Sequence, residues 1–410
     1  MPSLFHKIKP IFSIIVWVSA LGYFVDIYDL VLFSIVRVPS LKSIGLSGQA
    51  VFEQGVFLLN VQMIGMLVGG ILWGVLADKR GRLSVLFGSI VLYSVANIAN
   101  GFVDTVPYYA LWRFLAGVGL AGELGAGITL VAESLPKDLR GYGTMLIAAV
   151  GVAGAVFAGL IADFFDWRMN YWIGGGLGLV LLVLRFGVYE SGLYRNLAEN
   201  KTVSRGNFFK LFSSWHTAGR YLKCILIGMP LWYVVGILIT FSPEIGKALG
   251  LPFPIQAGKA LMACYLGLVI GDAASGALSQ VWRSRRKAVF LFLTMTAGMI
   301  LVYLLMPKES PAVFYLTTFV LGIAIGYWAV FVTIAAEQFG TNLRGTVAIT
   351  VPNFVRGAVV PLTLLFRFLE PTRGIIVSAG LVGALCVGVA FWALFSIEET
   401  YGKDLDFVEL

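Results

Sequence analysis

Charge is what this chain has least of. Only 13% of its 410 residues are Asp, Glu, Lys or Arg, against about 25% in a soluble domain, which excludes water as the main solvent of its surface. Histidine is nearly absent: His6 lies in a short basic N-terminal segment and His216 in a polar stretch. No apolar run therefore has a histidine to carry a proton, and none holds H-E-x-x-H or G-x-S-x-G. An intramembrane enzyme is not expected. Cysteine is limited to Cys224, Cys264 and Cys386, with no metal spacing and too few for a disulfide framework. These read as buried, inert thiols, and neither a metal nor a cofactor is expected.

What the chain has instead is apolar length. Hydrophobic residues make up 59% of it, and the mean hydropathy is +0.88. A helix crossing the hydrocarbon core needs roughly 20 residues. Twelve runs reach that scale, near 11–36, 52–76, 83–103, 107–131, 141–163, 169–188, 221–242, 257–280, 288–306, 311–335, 346–368 and 374–396. The fold class is an all-α polytopic membrane protein with twelve transmembrane helices, partnered by the lipid bilayer. The first run is too long for a signal-peptide core and is expected to remain as the first helix.

The net charge of +8 does not point to nucleic acid, because of where the cations fall. With the N-terminus inside, twenty Lys and Arg lie in segments on one side and eight on the other. This positive-inside bias places both termini in the cytoplasm of a multi-pass plasma-membrane or inner-membrane protein.

Residues 132–141 read AESLPKDLRG and residues 336–345 read AEQFGTNLRG. Five of the ten positions match at an offset of 204 residues, close to half the chain, as an ancient duplication would leave. Two pseudo-symmetric six-helix bundles are expected: 1–188, a cytoplasmic linker 189–220, and 221–410.

The few charges inside apolar runs carry the functional reading, because an intramembrane charge is expensive. Asp26 and Asp29 project from nearly one face of the first helix. The fourth helix carries Arg113 and, ten residues on, Glu123. Arg113 is about 9 Å and Asp29 about 10 Å from the outer ends of their helices, so an Asp29–Arg113 pair is the simplest neutralisation. Asp26 and Glu123 are then carboxylates without an obvious partner, suited to reversible protonation. Gly117 to Gly122 spell G-x-G-x-x-G inside a span with no strand before it, so a nucleotide fingerprint is rejected.

In the second half, Arg356 falls near the midplane behind Pro352 and Asn353. Either Asp272 neutralises it or an anionic substrate does, and the substrate is favoured because Asp272 falls closer to the cytoplasmic end of its run; a planar guanidinium suits a carboxylate, so the substrate is expected to be one. Trp232 and Tyr233 of helix 7 and Tyr327 and Trp328 of helix 10 are candidate contacts, against an equal expectation that they only pack.

Between helices 2 and 3, Gly74, Asp78, Arg80, Gly81 and Arg82 spell G-x-L-A-D-x-x-G-R. Here the chain resembles the major facilitator superfamily of transporters. The pattern R-x-x-x-G-x-x-x-A-G-E from Arg113, then A-E-S-x-P-x-x-x-R-G with Glu133 and Arg140, then Asp166-Trp-Arg looks like its metabolite:proton symporter branch, close to the sugar porters. The resemblance implies a conformational gate at Gly74, Asp78, Arg82, Glu133, Arg140, Glu337 and Arg344, with Asp78 meeting the start of helix 11 near Gly345. It also implies alternating access and proton-coupled symport; from the residues, the cargo is expected to be a small anionic substrate, an organic acid or polycarboxylate, and Asp26, Asp29, Arg113 and Glu123 are expected to couple the proton. Sodium in place of the proton, proton-antiport export of an amphipathic compound, and sugar or zwitterion transport stand as alternatives.

Overall fold

The computed structural model describes residues 13–403 apart from 81, 124, 126, 128–134, 136–139, 191–207 and 306–309. For 77–80, 82–83, 140–145, 148–149, 187–190, 341–342 and 345 it describes the backbone alone. Most of the 132–141 repeat and of the expected linker therefore lies outside the described residues.

The apolar runs fold as helices because lipid offers no partner for backbone N–H and C=O groups. The first six are α1 Ile14–Ser43, α2 Gln49–Arg80, α3 Arg82–Asn100, α4 Val106–Leu120, α5 Arg140–Phe164 and α6 Trp167–Glu190. A short 3₁₀ turn, Phe208–Phe212, precedes α7, Trp215–Tyr233. Ser214 caps α7 by accepting from the Thr217 N–H, so this helix starts inside the segment expected to be linker. It continues as a π-helical turn, Val234–Ile239, and is followed by the short helix Ser242–Ala248. Then come α8 Ala257–Val281 and α9 Arg285–Leu305. Next is α10, in two pieces, Pro311–Ala324 and Trp328–Glu337. The helix Thr341–Gly357 runs on into Val359–Phe395, which Gly374 divides at a φ of 75°. The part before Gly374 completes α11, and 375–395 is α12. Glycine is required there because a side chain would clash at positive φ.

Among the described residues, eight helices are long and apolar enough to cross a membrane, and one of them, Thr346–Phe395, is the joined α11 and α12. With the shorter α3 and α5 and the described part of α4, this gives the twelve spans of two six-helix bundles. Inside the first bundle α1 packs on α5 and α6, and α2 on α4. Inside the second, α8 packs on α10 and α7 on α12. The bundles meet where α2 lies on α11 and α8 lies on α5 and α1.

The α2–α4 crossing is close enough that a Cβ added at Gly117 would land on the Gln62 carbonyl. Small residues allow such backbone approach where no hydrophobic force drives helices together in lipid. Gly117→Leu is expected to cost about 1–3 kcal/mol through overpacking. It should lower the melting temperature of the detergent-solubilised protein, whereas a leucine at Gly298, where nothing lies within 4 Å, should not.

Candidate functional site

At the seam of the bundles, Asp26 of α1 faces Arg356 of α11, Oδ2 to Nη2 at 3.6 Å. Both are buried, at 0% and 1% exposure. The contact is an ion pair without a hydrogen bond: both Asp26 oxygens and the Arg356 Nε and Nη1 have no hydrogen-bond partner among the described residues. The Arg356 guanidinium lies 5.7 Å from the Trp232 ring and 5.9 Å from the Trp328 ring, within reach of a cation–π attraction. Tyr23 lies among Asp26, Arg356, Asp272 and Trp328. Asn353, a turn before Arg356, donates to the Ala121 carbonyl of the first bundle at 2.9 Å and to Ile349 at 3.0 Å.

This arrangement corrects several expectations. Asp26, expected to lack a partner, holds Arg356. Asp272 does not: its Oδ1 accepts from the Ala329 N–H at 3.1 Å, on the first turn of the second piece of α10, where free N–H groups and the helix dipole favour a carboxylate. Tyr233 and Tyr327 are tied into packing, their hydroxyls donating to the carbonyls of Ala379 at 2.5 Å and Ile227 at 3.0 Å.

Asp29 and Arg113 do not form the expected contact pair. They interact through space, but both Asp29 oxygens and all three Arg113 nitrogens lack a hydrogen-bond partner among the described residues. Arg113 lies instead 5.4 Å from the Phe33 ring and 5.6 Å from the Tyr171 ring. Glu123, also expected alone, is gripped by Arg185 of α6. Arg185 Nη2 meets Oε1 directly, and Nη1 donates to Oε2 at 3.1 Å and to the Leu86 carbonyl at 3.2 Å. Arg185 counts among the cytoplasmic cations by sequence, yet it falls inside the run 169–188 and is only 3% exposed. That position was the available signal.

Arg37, just past the end of the first run, is also fully buried. It crosses to the second bundle, pairing with Glu244 at 2.7 Å, donating to the Thr240 carbonyl at 3.3 Å and stacking 4.6 Å from the Phe241 ring. Around it, Thr240 donates to Ser34 at 2.9 Å, Thr363 to Asn60 at 2.6 Å, and Arg367 pairs with Glu53 at 3.2 Å. The bundles are thus latched at the Arg37 end.

Of the expected gate at the opposite end, Gly74 is buried, and a Cβ there would sit 3.5 Å from Thr350 of α11. Glu337 pairs with Arg285 at 3.5 Å, and Arg344 is half-buried on α11. Glu133, and the side chains of Asp78, Arg82 and Arg140, lie outside the described residues.

A membrane-embedded twelve-helix fold with a charged centre shared between two bundles defines a transport protein, not an enzyme. The Major Facilitator Superfamily profile matches residues 14–359, and the chain belongs to that superfamily. It is 28% identical to a putative metabolite transport protein of Haemophilus influenzae, over 95% of this chain and 96% of that one. It is 30% identical to the niacin transporter NiaP of Acinetobacter baylyi, over 43% of this chain and 40% of the relative. It is 26% identical to the 3-(3-hydroxy-phenyl)propionate transporter of Escherichia coli, over 83% and 84%. Among solved structures, the proton:xylose symporter XylE superposes with a TM-score of 0.73 at 18% identity, covering 98% of both chains; that likeness shows the fold.

The latch has a measurable consequence. Removing one partner of a buried ion pair leaves the other charge uncompensated, so Glu244→Gln should enlarge the population open at the Arg37 end by at least about tenfold. A cysteine placed at Ser34 should then react faster with a membrane-impermeant maleimide. An unchanged rate would mean that the Arg37–Glu244 pair does not hold this end closed.

Proposed function

We propose that the chain is a proton-coupled uptake transporter for a small organic anion, an aromatic carboxylate above all, working by alternating access with the Arg37 end facing out and both termini in the cytoplasm. The observation that carries this reading is the loose, buried Asp26–Arg356 pair between the two bundles, flanked by Trp232 and Trp328. Two relatives named for niacin and 3-(3-hydroxy-phenyl)propionate, both aromatic carboxylates, support it.

The coupling follows from which states leave a charge unpaired. Without cargo, Asp26 neutralises Arg356. An incoming carboxylate takes the guanidinium through two parallel hydrogen bonds, using donors such as Nε and Nη1 that have no acceptor, while its ring lies against the two tryptophans. Asp26, losing its counter-charge, takes a proton. The empty and fully loaded centres are both neutral. A centre holding only the proton or only the anion carries a net charge away from water, which opposes the change of access. Anion and proton therefore cross together. Asp29, a turn along α1 from Asp26 and interacting through space with Arg113, is a second carboxylate where the same proton can reside.

The test is binding of nicotinate, 3-phenylpropionate, succinate and glucose to the purified protein over about pH 5 to 8, a window above the ordinary titration of exposed carboxylates. Carboxylates should bind with proton uptake, and their affinity should fall as pH rises, because Asp26 must be protonated for the cargo to hold Arg356. Asp26→Asn should retain binding and lose that pH dependence. Arg356→Ala should weaken binding at least about thirtyfold. Carboxylate binding undiminished in Arg356→Ala, or binding of glucose alone, would sink the proposal.

A further inference from the structure

Independently of the cargo, we infer that the lipid-facing seam between α7 and α12, at the end where α7 begins, is a binding site for an anionic phospholipid, with its phosphate against Lys223 and Arg220. There, between the start of α7 and the residues that follow α12, lies a cavity of about 190 Å³ whose walls include Trp215, His216, Arg220, Lys223, Ser396 and Glu398. Lys223 lies nine residues beyond the Ser214 cap, roughly 13 Å along the helix. It is thus on the helix, at the level where α12 ends. Beside it, Leu222 is 53% exposed, Trp392 56% and Phe395 61%. Apolar side chains this open belong against hydrocarbon, so the ammonium stands at the boundary between acyl chains and head groups.

A cation in that position calls for an anion, and among the described residues no carboxylate forms an ion pair with Lys223. Lys223 Nζ donates to the Ser396 carbonyl at 3.3 Å and lies 5.9 Å from the Trp392 ring. That uses one of the three ammonium donors. The carboxylate on the cavity wall, Glu398, is engaged by Lys403 at 3.5 Å. Arg220 is held beside the cavity, donating to the Gln338 carbonyl at 3.0 Å and stacking 4.9 Å from the Phe339 ring. Both cations are therefore placed in advance by helix-terminal carbonyls, and both stand where a phosphate could bridge them.

Two further features select a lipid over a soluble anion. Trp215 is 95% exposed at the first turn of α7, the position of an aromatic that anchors in the head-group layer. On the other flank of α12, a second hollow of about 250 Å³ is lined by Arg286, Lys287, Phe290, Leu394 and Phe395, and Arg286 donates to the Phe395 carbonyl at 3.3 Å. The end of α12 is thus wrapped by a strip of cations above aromatic side chains, matching head groups above acyl chains. Basic pockets between transmembrane helices recognise acidic head groups in this way.

The full-length protein in neutral detergent, titrated with phosphatidylglycerol or phosphatidylcholine and followed by native mass spectrometry, tests the assignment. Phosphatidylglycerol should be retained preferentially. Lys223→Gln should weaken its retention about fivefold, Lys223→Arg should restore it, and Lys42→Gln, an exposed cation at the opposite end, should leave it unchanged. Equal retention of the two lipids, or undiminished phosphatidylglycerol binding in Lys223→Gln, would overturn the inference. So would inorganic phosphate binding with the same Lys223 dependence while the lipid preference is absent. Because a variant can fail to fold, a photoactivatable phosphatidylglycerol applied to the unaltered protein gives a second reading. Crosslinks should map to 215–223 and 392–398, and crosslinks found only elsewhere would refute the site.

Discussion

A charge held away from water must be neutralised by something within the protein, and this constraint organises the interior. Moving an ion into a low-dielectric surrounding costs several kcal/mol even after relaxation, so every buried cation described here is accompanied. Arg356 has Asp26, Arg185 has Glu123, Arg37 has Glu244, and Arg113 has two aromatic faces with Asp29 acting through space. The arrangements differ in where they sit relative to the bundles. Glu123–Arg185 joins helices of one bundle and is a forked, hydrogen-bonded contact. Asp26–Arg356 and Arg37–Glu244 join the two bundles. A contact inside a bundle survives rigid-body rocking, whereas a contact between bundles must break when they part. The same chemistry thus serves as mortar in one place and as a latch in another.

The geometry of the central pair suits an exchange of partners. At 3.6 Å without a hydrogen bond, Asp26 and Arg356 cancel charge yet leave guanidinium donors unspent. A tight bidentate fork like that of Glu123 would oppose replacement by an incoming anion. The second piece of α10 repeats the theme in backbone form: its N-terminus is a positive pole, and Asp272 covers it. Two anion-seeking features, a guanidinium and a helix start, therefore lie near Trp328, each screened by a carboxylate of the protein itself. In the proposed cycle, such screens keep the empty carrier neutral.

Much of this was legible from local composition. The apolar runs place the helices, because lipid tolerates no unpaired backbone and a span of apolar residues has few alternatives to a helix. The turn at 74–82 and the charges inside runs identify the superfamily and its expensive residues. Partner choice was not legible. Asp29 and Arg113 match in depth, but depth is one coordinate of three. Rotation about the helix axes turns Arg113 toward Phe33 and Tyr171, and turns Asp26, a turn away, across the seam to Arg356. Glu123 looked solitary because its partner lies sixty-two residues away on α6, at a position that composition alone reads as the edge of a span.

The sequence by itself determined that the chain is a twelve-helix membrane protein of this superfamily, and which few charges it places in the membrane, because hydropathy and the short turn pattern are properties of contiguous residues. Only the tertiary structure decided that Asp26 meets Arg356, that Glu123 is clasped by Arg185, that Asp272 caps a broken helix and that Arg37 latches one end. Those contacts depend on how helices distant in the chain are rotated and packed against one another. That choice is made jointly by the close approaches at glycines such as Gly117 and by the requirement that no buried charge be left alone.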